Sequence, residues 1–270
     1  MAQSTSILHR DALAVADVLA VMLQKETTTY MRGDYLLKTS SSELRGVDAP
    51  TINENDRTKV VDWCYSVVDR CQFERETVAI AIEMVDRFLS KPSDLARHAL
   101  RNRMQFQLLV VSALYLSIKL NERSVLSPSF FSLLSCDQYS AEDIEVMEQS
   151  LLKGLSWHVS APTCMQIATH TLSLISKQVS IQKSTTWATI LDEVAFQAEY
   201  AVRDYYFVTQ RPSTVAMAAI FNALEIVDAH DIREILASFV LVMNDSFDSQ
   251  EHLLESRDRL LCLVQKDKTS

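Results

Sequence analysis

The sequence predicts an all-α protein, built as two tandem five-helix units preceded by an N-terminal helix. Three observations carry this reading. Glycine occurs three times and proline five times in 270 residues. That depletion disfavours β-hairpin turns, which draw on residues of positive φ, and suits helices, where a glycine costs about 1 kcal/mol relative to alanine. Apolar residues make up 48% of the chain, enough for a substantial core. The apolar positions also recur at helical spacing in successive segments divided by short polar breaks.

Residues 7–25 carry Leu8, Val15, Leu19 and Met22 on one helical repeat, with Asp11 near the start. Residues 38–55 turn polar, hold Gly46 and Pro50, and read as a loop. Asn53 and Asp56 are spaced to cap the next helix, expected over 54–71. Helices over 75–90 and 100–121 follow. The second of these is apolar nearly all round from Leu108 to Leu120, which places it at the centre of a bundle. Ser127 before Pro128 opens a short helix, and Ser140 with Asp143 opens another through a capping box. Residues 155–163 (LSWHVSAPT) break the pattern at Pro162. Helices are then expected at 163–177, 186–208, 212–227, 231–243 and 247–264. Here too the middle one is rich in small apolar residues, from Thr214 to Ile220. The implied divisions are 1–52 for the N-terminal helix and polar loop, 53–158 and 159–265 for the two units, and 266–270 for a tail. Letter-by-letter identity between the halves is slight, so the duplication rests on pattern.

Composition excludes several classes of function. A net charge of −9 repels phosphate backbones, so no nucleic-acid partner is expected. The five cysteines (Cys64, Cys71, Cys136, Cys164 and Cys262) form no CxxC pair, which argues against zinc; no metal and no cofactor are expected. An odd cysteine count suits a reducing compartment. No stretch approaches the roughly 18 apolar residues of a membrane span. Paired-carboxylate metal motifs, nucleophile elbows and phosphate loops are missing, so an enzyme is not expected.

Four charged residues stand out near helix ends: Arg57, Asp86, Lys119 and Glu148. Arg57 and Asp86 lie beside strongly apolar residues (Val60 and Trp63; Val85 and Phe88), and a buried charge needs a partner. An internal Arg57–Asp86 salt bridge is the economical expectation. Lys119 and Glu148 admit two readings. Both are solvated charges at helix edges, or both flank one groove and grip another protein's backbone. In the second reading the lysine would serve unpaired helix carbonyls and the glutamate exposed N–H groups.

Taken in order, Arg57, Asp86 within VDRFL, Leu108, Lys119 and Glu148 resemble the anchors of the cyclin box. So do the flanking strings VDW at Val61 to Trp63, MEQSLLKGLSW at Met147 to Trp157 and SAPT at Ser160 to Thr163. The resemblance is strong over 53–163 and looser over 164–265, and implies two cyclin folds in tandem. It further implies a non-catalytic regulator, found in nucleus and cytoplasm, that binds a cyclin-dependent kinase as a heterodimer and controls cell-cycle progression. Lys119 and Glu148 would bind the kinase's regulatory helix, with Leu116, Leu120, Leu152 and Trp157 as the apolar part of that face. Leu108 and Trp63 would belong to the core of the box, and the helix at 7–25 matches one that commonly adds to the kinase interface.

The pattern departs from the family in the patch that docks Arg-x-Leu motifs of substrates and inhibitors. Val60, Trp63 and Gln107 match it, while Asp56 and Lys59 put charges where apolar residues are usual. Charges inside an apolar groove cost solvation, so such docking is expected to be poor or altered. Lys91, Arg97, His98, Arg101 and Arg103 make the expected loop between the second and third helices basic. This is either a solvated face or an anion dock. RxxL strings occur at Arg10 to Leu13 and Arg233 to Leu236, and a Leu-x-Cys-x-Glu string is missing, which leaves the subtype open between A/B-like and D-like. A cyclin-fold scaffold without kinase activation is the alternative. Transcription factor IIB, which carries two such repeats, would also need a zinc ribbon and a basic surface.

Overall fold

The computed structural model describes residues 2–36, 52–124, 126–176, 184–228, 230–242 and 250–268. Among them the regular structure is entirely helical. Most of the polar stretch expected as a loop, and the end of the tail, lie outside the described residues. The chain divides into two compact units that do not follow chain order.

One unit comprises Tyr30–Ala161 and Val202–Thr209. It holds α2 (Glu54–Cys71), α3 (Glu76–Ser90), α4 (Asp94–Arg101), α5 (Arg103–Asn121), α6 (Pro128–Leu134), α7 (Ala141–Gly154) and a 3-10 helix at Tyr205–Val208. The caps explain where these helices begin. Asn53 and Asp56 bond reciprocally across the first turn of α2, as Ser140 and Asp143 do at α7. The Ser127 hydroxyl accepts from Phe130 N–H, with Pro128 in the first turn of α6. Every residue from Leu108 to Ile118 is buried, so α5 fills the middle of the unit, packed by α3, α4 and α7. One element differs from expectation. The basic stretch after α3 is a helix, α4, capped by the Ser93 hydroxyl and seated on Ala96, Ala99 and Leu100. It stops at Asn102, whose side chain accepts from Met104 and Gln105 N–H and so starts α5 at Arg103.

The other unit comprises Met1–Thr29, Pro162–Ala201 and Gln210–Ser270. Here α1 (Ala2–Glu26) and α8 (Cys164–Ser176) pack together, and α10 (Pro212–Ile226) is buried from Ser213 to Leu224 against α8 and α12 (Gln250–Lys268). The remaining helices are α9 (Ser184–Arg203) and α11 (His230–Val242). The helix expected to run to 208 ends at Arg203, because the Asp204 side chain caps the 3-10 turn instead. The buried Glu26 carboxylate accepts from Ser213 N–H (3.0 Å) and from its hydroxyl, tying α1 to the first turn of α10.

Candidate kinase-binding face and docking groove

Lys119 lies in the last turn of α5 and Glu148 in the middle of α7. Packing of α5 on α7 brings them together, with Lys119 Nζ 2.9 Å from Glu148 Oε1. Their surroundings differ. The Glu148 side chain is 8% exposed and that of Lys119 45%. The hydrogen bond to Glu148 raises the lysine pKa, keeping the ammonium charged. Tyr115, one turn earlier on α5, lies beneath it with its ring centroid 5.4 Å from Nζ. Burial pushes the Tyr115 phenol up. Tyr115 was not singled out in the sequence, although its four-residue spacing from Lys119 was visible.

The apolar residues expected beside this pair divide by exposure. Leu120 and Trp157 are exposed, the latter at 68%. Leu152 is partly buried against the core, and Leu116 is buried within it at 2% exposure. Leu116 therefore supports the helix that carries Lys119 from beneath. Trp157 is turned out by the backbone: Ser156 and Trp157 adopt φ of 53° and 63°. Trp157 N–H bonds the Leu152 carbonyl at 2.9 Å, closing α7. A tryptophan at positive φ is strained, and here the strain accompanies an exposed indole.

Behind these helices, Arg57 and Asp86 form a two-pronged ion pair, with Nη2–Oδ2 at 2.7 Å and Nε–Oδ1 at 3.0 Å. Both are buried. Burial opposes the guanidinium charge, but Asp86 overrides it and the Arg57 pKa rises. Arg57 also donates to the Val202 carbonyl (2.7 Å), and Asp86 accepts from the Tyr35 hydroxyl (2.7 Å). A second buried pair was not anticipated. Arg87 and Glu83 are 3.3 Å apart on α3, with Arg87 bonded to the His158 carbonyl and stacked on Tyr30 (4.6 Å). Burial raises the Glu83 pKa to about 7 against the pull of Arg87.

Four of the five residues expected to form an altered docking patch border one concavity. Lys59, Val60, Trp63 and Gln107 line a cavity of about 270 Å³ with Val110, Val111, Leu134 and the turn at Ser135 to Tyr139. Leu108, on the same helix, is buried in the core, and Trp63 packs partly buried against it. Two expectations need correction. Asp56 does not line the groove, because its carboxylate accepts from Asn53 N–H (3.2 Å) and meets Arg103 (3.4 Å). Lys59 is exposed, so its ammonium stays hydrated while its stem lines the rim, and the solvation cost does not arise. The arginines considered as an anion dock are otherwise engaged. Arg97 pairs with Asp94 within α4, Arg103 with Asp56, and Arg101 also has a partner. Lys91 donates to the Gly154 carbonyl at 2.8 Å.

Among the described residues no cluster of three His, Cys, Asp or Glu side chains could hold a metal ion. None of the described helices is long and apolar enough to cross a membrane.

The profile of the family described as "Cyclin, N-terminal domain" matches residues 17–160. G2/mitotic-specific cyclin-B of Hydra viridissima is 31% identical over 179 residues, covering 66% of this chain and 41% of that protein. G2/mitotic-specific cyclin-A1 of Caenorhabditis elegans is 29% identical over 168 residues, covering 62% and 31%. The chain thus spans less than half the length of these relatives. Among solved structures, the fold is similar to a viral cyclin from herpesvirus saimiri (TM-score 0.57, 13% identity, covering 77% of this chain and 87% of that one). It is also similar to a chain in the CAK complex from Chaetomium thermophilum bound to ATP-γ-S (TM-score 0.55, 15% identity, covering 90% and 74%). With the cyclin profile matched over more than half its length and the anchor residues placed as described, the chain belongs to the cyclin family.

Proposed function

We propose that this chain is the regulatory subunit of a cyclin-dependent protein kinase, holding the kinase's regulatory helix on the face marked by Lys119 and Glu148. The observation that carries the reading is that pair. It joins an exposed ammonium to a nearly buried carboxylate across two packed helices. The ammonium has three N–H donors and gives one to Glu148. The others suit carbonyls left open at a helix C-terminus, while the second carboxylate oxygen suits exposed N–H groups. Exposed Leu120 and Trp157 add apolar surface. A kinase helix gripped this way is held where its glutamate pairs with the ATP-binding lysine, as active kinases require. The subunit thereby stabilises one of two kinase states and performs no chemistry itself.

The relatives' names support a role in cell-cycle progression of the A/B, G2/mitotic kind; action in nucleus and cytoplasm is part of the same proposal. Affinity capture from cell extract, followed by a phosphorylation assay on the captured material, tests the proposal. Wild type is expected to retain a cyclin-dependent kinase and its activity, and the Lys119→Ala/Glu148→Ala double variant to lose at least tenfold of both. Equal capture by the two proteins would move the interface elsewhere. Capture of a kinase without activity would favour a scaffold.

A further inference from the structure

We propose that Arg87 on α3 and Lys91 at its C-terminal cap are positioning residues for the kinase contact: they clamp the turn that leaves α7 and so hold Trp157 out towards the partner. The assignment rests on the kinase reading and deepens it. The backbone of this turn needs holding. Ser156 and Trp157 both have left-handed φ, 53° and 63°. Two consecutive non-glycine residues in that region are costly and persist only where their surroundings fix them. Local bonds do part of this, from Ser156 N–H to the Lys153 carbonyl (3.0 Å), Trp157 N–H to Leu152 (2.9 Å) and His158 N–H to Leu155 (3.1 Å). Bonds within one short loop set its shape, but not its direction relative to a neighbouring helix.

Helix α3 supplies the direction. Lys91 Nζ donates to the carbonyl of Gly154, the last residue of α7, at 2.8 Å, and Arg87 Nη2 donates to the carbonyl of His158. These two carbonyls bracket Ser156 and Trp157, and carbonyls left open at a helix C-terminus favour cations. Like charges one turn apart on a helix repel, and burial together with Arg87 lowers the Lys91 pKa. Each cation is nevertheless met by a carbonyl of the same turn. Arg87 is itself fixed: it is 2% exposed, stands 3.3 Å from Glu83 and lies 4.6 Å from the centre of the Tyr30 ring. Tyr30 also packs edge-on to the His158 ring (6.3 Å), and its hydroxyl meets the Ser160 backbone. The turn is thus tied to α3 on both sides of an indole that is 68% exposed. A strained backbone that exposes a tryptophan gains little burial within this chain, whereas a partner's surface would supply it.

The test uses the full chain, labelled with fluorotryptophan for fluorine NMR. It carries three tryptophans, and the Trp157 resonance is the one lost in Trp157→Phe. Lys91 is exposed, so Lys91→Met spares the core, and Arg87→Lys keeps the buried charge while removing the guanidinium fork. Each is expected to move or broaden the Trp157 resonance alone, and Lys91→Arg to leave it in place. The half-saturating concentration of chain in kinase capture from cell extract should rise about threefold in Lys91→Met, the factor of one cation at a helix end. It should stay at the wild-type value in Lys91→Arg. In a Trp157→Ala background Lys91→Met should add no further loss, because the clamp acts through the indole. An unmoved Trp157 resonance in Lys91→Met or Arg87→Lys overturns the proposal. So does wild-type capture by Lys91→Met, or the same threefold loss with and without Trp157. Failure of wild type to capture any kinase would overturn the kinase reading and the contact with it, whereas the fluorine spectra report the clamp without a kinase present.

Discussion

At Glu83 the carboxylate is buried on the same helix face as Arg87, with Tyr30 and the His158 carbonyl holding the guanidinium and with Arg32 and Asp86 adding their fields. Its pKa in the folded chain, about 7, lies above the ordinary value of 4.5. Between those two pH values the folded state binds more proton than the unfolded one. Stability from this group is therefore full below about pH 4.5 and declines as pH rises towards 7. We expect wild type to lose on the order of 1–3 kcal/mol over that window relative to Glu83→Gln, whose profile lacks this slope. Urea titrations at half-unit pH intervals would show it, and parallel profiles for the two proteins would refute it. Arg57–Asp86 was legible in the sequence because each charge sits among strongly apolar letters. Glu83–Arg87 was not, since an acid four residues before a base is the usual pattern of a solvated helix face. Only packing removes that face from water.

Helix-level features explain how α7 comes to present Glu148. Gly154, the last residue of α7, lies so close to the Phe88 ring of α3 that an added Cβ would sit well inside van der Waals contact. Phe88 is itself buried and cannot swing aside, so Gly154→Ala should cost about 1–3 kcal/mol by overpacking. It should also weaken kinase capture by displacing the end of the helix that carries Glu148. Wild-type stability together with wild-type capture in this variant would refute the argument. The glycine could have drawn attention in a chain with only three, but nothing in its letters names Phe88. Helix starts were well read because caps are local chemistry: Asn53, Ser127 and Ser140 cap in the structure as their spacing predicts. Helix α4 was missed because its eight residues offer a short apolar stripe, and their charges read as loop.

Across the whole molecule, the segment Val202–Thr209 belongs to the compact unit built mainly from residues 30–161. Its Tyr205 hydroxyl donates to Asp34 (2.9 Å) and accepts from the N–H groups of Tyr35 and Leu36 (3.1 and 3.0 Å). Tyr35 continues the chain of bonds to Asp86 and hence to Arg57. Tyr205→Phe leaves the buried Tyr35 N–H without its acceptor and Leu36 N–H with Asp34 Oδ1 alone (3.1 Å), and should cost roughly 1–3 kcal/mol. Chemical denaturation should show a lower midpoint at unchanged slope, whereas an unchanged midpoint would mean that water replaces the hydroxyl. By itself the sequence determined the all-helical class, most helix starts, the burial of α5 and α10, and the family, because periodicity, capping and motif order are local or linear properties. Tertiary structure alone decided that Lys119 meets Glu148, that Asp56 turns away from the groove while Lys59 stays on its rim, and that residues 202–209 complete the unit begun at Tyr30. The physical reason is that helical spacing says which face of a helix leaves water, and does not say which other face it meets.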